Sequence, residues 1–250
     1  MKVLLTSLLA MVALTSASTV KLGTHLASPS VIGGINSTPG GAPFIVSLQN
    51  IGGIIVLDQL SLEIGLLLQH IAWFTQALIT HIIPHPNFAG GAGPNDIGLI
   101  YIEQPFYFNL PLTVAAPVAQ ITLANASFVL SGNGTVYGWG TMQSGYMADT
   151  LQKLDTSVLD YNDCKAYLPA LAPLTPVNIC CFGNGTGIYE GACNGDSGGP
   201  LVQTVSAGPV LIGVVSWGYV PCETSPYPSV YTATSVYKDW IDNITASFNP

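Results

Sequence analysis

The sequence predicts an all-β chain closed by one C-terminal helix, on three observations. Short apolar runs recur between Gly, Pro and Asn residues, helical periods are few, and the sustained helical period lies near the C-terminal end. Hydrophobic residues make up 49% of the chain, which excludes general disorder. Its 250 residues are enough for one large or two small domains with a sizeable core. No internal repeat, low-complexity tract or linker interrupts them.

In chain order, Met1-Lys2, the apolar run Val3 to Leu14 and the small residues Thr15 to Ser18 read as a secretory leader over residues 1–17. The run is too short to span a bilayer. Pro43 to Gln49 is an apolar strand pattern behind a Gly/Pro turn. The stretch Ile54 to Ile83 is apolar enough on average to cross a membrane, but Asp58, Glu63, Gln69, His70 and His81 interrupt it, so buried strands are expected there. Ile82 to Phe88, Asn95 to Ile100 and Val136 to Gly140 are further short apolar runs punctuated by Pro, Asn or Gly. From Ser235 to Phe248 the pattern changes. Val236, Tyr237, Trp240, Ile241, Ile244 and Phe248 recur at helical spacing behind a serine able to cap.

Only 7% of residues are charged, every basic residue is a lysine, and the net charge is −8. That balance leaves no basic patch for nucleic acid and sets the chain against an acidic membrane surface, so a soluble partner is expected. Five cysteines in an exported chain suggest two disulfides and one thiol left over. Their spacing is not that of a zinc site, and neither a metal nor a cofactor is expected. Asn-x-Ser/Thr sequons at Asn36, Asn125, Asn133, Asn184 and Asn243 suit an exported protein, the first being the weakest because Pro39 follows it.

The chemistry centres on Cys193-Asn194-Gly195-Asp196-Ser197-Gly198-Gly199-Pro200. A serine flanked by glycines suits a nucleophile, because no neighbouring Cβ blocks its hydroxyl and backbone N–H groups can face a developing oxyanion. Gly-x-Ser-x-Gly also fits the nucleophile elbow of α/β-hydrolases, but that fold places its histidine after the serine, and the last histidine here is His85. Chain order therefore leaves only a scheme with histidine first.

The octet, with Ser216-Trp217-Gly218 and Cys222 downstream, resembles the chymotrypsin/trypsin family of serine endopeptidases from Val31 to about Ile244. The resemblance implies two six-stranded antiparallel Greek-key β-barrels, about 31–130 and 131–234, with a closing helix over about 235–247. It implies a pro-segment over residues 18–30 and a mature start at Val31-Ile32-Gly33-Gly34, whose freed α-ammonium pairs with Asp196. Residue 30 is serine and the nearest lysine, Lys21, lies ten positions upstream of Val31, so a protease of non-tryptic specificity would make the cut. The resemblance further implies Ser197 as nucleophile, Gly195 and Ser197 N–H groups as the oxyanion hole, and Asp96 as the carboxylate that orients the base. It pairs Cys193 with Cys222 and Cys164 with Cys180, leaving Cys181 over. Six residues before Ser197 stands Gly191, where trypsin-like relatives carry aspartate, and Ser229 stands where many have glycine. With Gly218 at the entrance, these imply cleavage after a small or medium uncharged residue. Ser216, Trp217 and Gly218 would pair with the substrate backbone.

One segment departs from the pattern. In the family a histidine followed by a cysteine lies after a Cys-Gly-Gly, and the two cysteines bond. Here Ile51 precedes Gly52-Gly53, and Ile54 to Gly65 holds neither histidine nor cysteine. A single replaced or deleted segment accounts for all three losses. His70 is nearest to the expected position and is the candidate base; His81 sits in a strand-like run, and His85 in a His-Pro-x-aromatic context that is a surface loop in the family. The sequence therefore predicts a secreted, monomeric serine endopeptidase impaired by its altered segment, with a protein or peptide substrate and a protein inhibitor as fitting partners. The alternative is an inactive homologue that uses the fold for binding or regulation.

Overall fold

The computed structural model describes residues 31–50, 53–54, 66–69, 76–102, 119–185 and 189–247. The leader and pro-segment assigned from sequence, and His70, lie outside them. The described strands are, in order, β1 (Ile35–Asn36), β2 (Ser47–Asn50), β3 (Gly53–Ile54), β4 (Leu66–Gln69), β5 (Gln76–Pro84), β6 (Gly98–Ile102), β7 (Thr122–Leu123), β8 (Gly132–Gly138), β9 (Gln152–Leu159), β10 (Asn178–Gly183), β11 (Pro200–Val205), β12 (Gly208–Trp217) and β13 (Ser229–Ala233). Two helices join them, α1 (Tyr161–Tyr167) and α2 (Thr234–Ser247).

Six strands close a C-terminal barrel in the order β8-β9-β10-β13-β12-β11 and back to β8, every step antiparallel. Closure removes the exposed edges that an open sheet would present. Alternation fills the interior: along β9, Leu154, Thr156 and Val158 are buried while Asp155 is exposed, as strand side chains alternate between faces. Val136, Leu154, Ile179, Leu201, Ile212 and Tyr231 form the centre of the core. Strand β13 is buried at every position. Tyr231 and Ala233 join the barrel core, while Val230 joins a second cluster with Cys164, Leu168 and Cys180.

The expectation of two six-stranded barrels is overturned. Among the described residues the N-terminal sheet, in the order β3-β2-β4-β5-β6, stays open, and only one barrel closes. Among the described residues, pairing strand is short there. Edge strand β3 supplies just two residues, and the register of β5 with β6 slips between Ile79 and His81. Two further strands of the N-terminal stretch go elsewhere: β1 pairs with β9, and β7 runs parallel to β12. At the described end of the apolar stretch, Ile79 is buried but Thr80, His81 and Ile82 are exposed.

The closing helix is present with a narrower apolar face than its periodicity implies. Tyr237 and Ile241 are buried, but Val236 is 52% exposed. Thr234, not Ser235, opens it, and its hydroxyl donates to Leu211 O at 2.7 Å, so the helix start is fixed by β12. Helix α1 has no counterpart in the sequence reading; Asp160 caps it by accepting from Asp163 N at 2.9 Å.

Leu201→Ala in the closed barrel should cost about 2–5 kcal/mol, since Leu201 is fully buried. Leu171→Ala, at a side chain 97% exposed, should stay within about 0.5 kcal/mol. Urea unfolding of both variants checks the contrast.

Candidate active site

The loop from Cys193 to Gly199 is shaped by two successive tight turns. Asp196 N donates to Cys193 O at 3.0 Å and Gly199 N to Asp196 O at 2.8 Å. Gly195 (φ 92°) and Gly198 (φ 79°) stand in the left-handed region, where a Cβ is disfavoured, so the glycines beside Ser197 are dictated by the turn. The loop is fastened to β12, because Gly198 N donates to Val215 O and Val215 N to Gly199 O, both at 2.9 Å. Among the described residues neither Gly195 N–H nor Ser197 N–H donates to a backbone or side-chain acceptor.

Inside the loop lies a buried carboxylate. Asp196, 2% exposed, accepts from Gly140 N at 2.8 Å through Oδ1 and from Cys193 N at 2.9 Å through Oδ2. Burial pushes its pKa up to about 6, and the two N–H donors oppose the rise. Among the described residues the ion pair present is Lys238 with Asp242, on the outer face of α2. Val31 is fully buried in the barrel core with φ at 51°, a backbone conformation that β-branched residues avoid. Next to it, Ile32 bridges Gly191, whose N–H donates to Ile32 O at 3.0 Å.

Asp96 and the preceding Asn95 are tied to the C-terminal half by four hydrogen bonds, two each. Ser216 Oγ donates to Asp96 Oδ2 at 2.6 Å, and Thr232 Oγ1 donates to Asp96 O at 2.8 Å. Beside it, Asn95 N donates to Tyr237 Oη at 2.9 Å, and that hydroxyl donates to Asn95 Oδ1 at 3.1 Å.

A cavity of about 350 Å³ opens beside the loop, lined by Gly191, Ser197, Ser216, Trp217, Gly218 and Ser229 among others. At its base the Ser229 hydroxyl accepts from Ala192 N at 3.0 Å and would lie 2.6 Å from a Cβ added to Gly191. The carboxylate of Glu190, another lining residue, is packed against Gly185. Cys193 and Cys222 line the cavity and are bonded to each other; Cys164 is bonded to Cys180. The remaining cysteine, Cys181, is fully buried, and burial pushes its thiol up to about 11, which leaves it inert.

Sequence reading missed two rings on the cavity rim. Tyr219 lies 4.7 Å from Tyr227 and 6.2 Å from Trp217, centroid to centroid. The adjacency of Tyr219 to Trp217-Gly218 was the available signal. Among the described residues no histidine lines the cavity. His85 packs against the rings of Tyr237 (5.3 Å) and Trp240 (4.9 Å), and His81 is exposed with Nδ1 3.1 Å from Thr80 Oγ1. No group of three His, Cys, Asp or Glu side chains is placed to hold a metal among the described residues, and no helix there is long and apolar enough to cross a membrane.

The profile of the trypsin family matches residues 74–241. The chain belongs to the trypsin family. Within it, the chain is 39% identical over 240 residues to the Lectizyme of Glossina austeni, covering 85% of each protein. It is 33% identical over 175 residues to trypsin eta of Drosophila melanogaster, covering 68% of this chain and 61% of that one. It is 35% identical over 173 residues to trypsin-1 of Salmo salar, covering 68% and 64% respectively.

Two predictions follow from these contacts. Ser216→Ala strips a donor from a carboxylate and should cost about 1.5–3 kcal/mol in urea unfolding. The second concerns pH. Asp196 holds its proton more tightly folded, with a pKa of about 6, than at its ordinary 3.8, so its contribution favours folding at low pH and is lost as pH rises from about 4 through 6. This acid-side component, on the order of 3 kcal/mol, should be absent from Asp196→Asn when stability is measured across that window.

Proposed function

We propose that this trypsin-family chain is an exported serine endopeptidase that takes an extended peptide and cuts after a small or medium uncharged residue, with hydrolysis held low by its altered histidine segment. The observation that carries this reading is the double position of Ser216. Its residue lines the cavity with Ser197 while its hydroxyl holds Asp96 at 2.6 Å, which brings nucleophile and carboxylate to one seam.

In this reading Ser197 Oγ attacks the peptide carbonyl, and the unengaged N–H groups of Gly195 and Ser197 receive the oxyanion, each donor being worth roughly 2.7–4 kcal/mol. Residues Ser216 to Gly218 pair with the substrate backbone as an added strand. Gly191 and Ser229 bring no charge to the lining, and the neighbouring Glu190 carboxylate packs toward Gly185, which favours an uncharged side chain. His70 takes the proton from Ser197, and Asp96 orients it. An enzyme of this type without its imidazole loses about 10⁶ in rate, roughly 8 kcal/mol of transition-state stabilisation.

Activation fits the same residues. A cut before Val31 frees an α-ammonium, and Asp196 offers a buried carboxylate whose two oxygens are each held by one backbone N–H. A charge pair there acts as a switch, since a buried ammonium needs a partner and Asp196 supplies one. The leader-like start and the two disulfides support export.

One observation favours a second reading, an inactive homologue that binds peptides: no described histidine reaches the cavity. A fluorophosphonate probe separates the two. The endopeptidase reading expects slow labelling that vanishes in Ser197→Ala and in His70→Ala, with cleavage of alanyl or valyl peptides and none after lysine. Labelling that survives His70→Ala rules His70 out as base. Absence of labelling, with uncharged peptides still bound by Ser197→Ala, replaces the endopeptidase with the binding homologue.

A further inference from the structure

Four of the five sequons have all three residues within the described part of the chain, and their hydroxyls do different things. In Asn36-Ser37-Thr38, Asn36 pairs across to β9 and its Oδ1 accepts from Gln152 Nε2 at 2.6 Å. In Asn133-Gly134-Thr135, the Thr135 hydroxyl donates to Asp155 Oδ1 at 3.0 Å. In Asn243-Ile244-Thr245, the Thr245 hydroxyl donates back along α2 to Ile241 O at 2.7 Å. Only in Asn125-Ala126-Ser127 does the sequon close on itself. Ser127 Oγ donates to Asn125 Oδ1 at 2.7 Å, and Ser127 N donates to the same oxygen at 3.0 Å.

That arrangement polarises the carboxamide through its oxygen, and Nδ2, the atom that would accept a sugar, donates to no other group among the described residues. The turn stands clear of the fold. Asn125, Ala126 and Ser127 are all exposed, while Ala124 before them is buried and Phe128 packs on the barrel core, so the loop is held at both ends.

We infer that Asn125 is an N-glycan acceptor of this chain and is occupied ahead of Asn36, Asn133 and Asn243. The inference rests on the export reading above. In the transfer, Asn125 Nδ2 forms a bond to the anomeric carbon of a lipid-linked oligosaccharide. The bond from that carbon to the pyrophosphate oxygen breaks, and the lipid pyrophosphate leaves with the electron pair. One Nδ2 proton passes to a base of the transferring enzyme.

The test expresses the full chain in a eukaryotic cell, once with its own leader and once behind a leader of established export. Secreted protein is treated with a glycan-releasing amidase in heavy-oxygen water, and its peptides are weighed. Heavy-oxygen aspartate at position 125, at higher occupancy than at 36, 133 or 243, is expected; Ser127→Ala should abolish it and Ser127→Thr retain it. Unmodified Asn125 in the chain behind the established leader, or greater occupancy at one of the other three, overturns the inference. Retention inside the cell with only the native leader counts against export instead, leaving the chain behind the established leader to decide Asn125.

Discussion

The molecule hangs on the attachment of Asp96 to the C-terminal barrel. Its carboxylate takes the Ser216 hydroxyl, its carbonyl takes the Thr232 hydroxyl, and the preceding Asn95 exchanges hydrogen bonds with Tyr237 on the closing helix. The donors stand on strands and a packed helix, so these bonds cost little ordering entropy on forming. The N-terminal sheet, open among the described residues, therefore does not have to close on itself to hold its acidic residue against Ser216. It borrows rigidity from β12, β13 and α2.

A second constraint acts beneath Ser197. The Asp196 carboxylate fills space that side chains would otherwise need: a Cβ on Gly140 would lie 2.5 Å from its Cγ. The glycines around it are thus a consequence of burying that group, and the backbone donors of Gly140 and Cys193 are the compensation. The cavity lining is shaped by an equally local approach, because a Cβ at Gly191 would lie 2.6 Å from Ser229 Oγ.

How much of this was legible in the sequence depends on whether the deciding contact is local. The glycine-flanked Ser197 and the helical period around Tyr237 and Ile241 are written in consecutive residues and were readable. Strands β1 and β7, two residues each, carry no period and exist because β9 and β12 offer them partners. Helix α1, at seven residues, is too short to set a stripe. The bond from Ser216 to Asp96 spans 120 positions and leaves no trace in either neighbourhood. The exposure of Val236 and the start of α2 at Thr234 were likewise decided by what β12 presents, not by propensity. The single closed barrel could not be read because closure depends on which strands find partners, a property of the assembled fold.

Strand β1 has a kinetic meaning. It begins at Ile35 and is clamped to β9, so a terminus created at Val31 would trail only four residues from a fixed point, a tether of roughly 14 Å at full extension. Such a short leash, with Val31 already buried and Ile32 bridged to Gly191, holds the new end at an effective concentration near the barrel far above that of any diffusing amine. The search for a binding position would then be intramolecular and independent of how dilute the protein is.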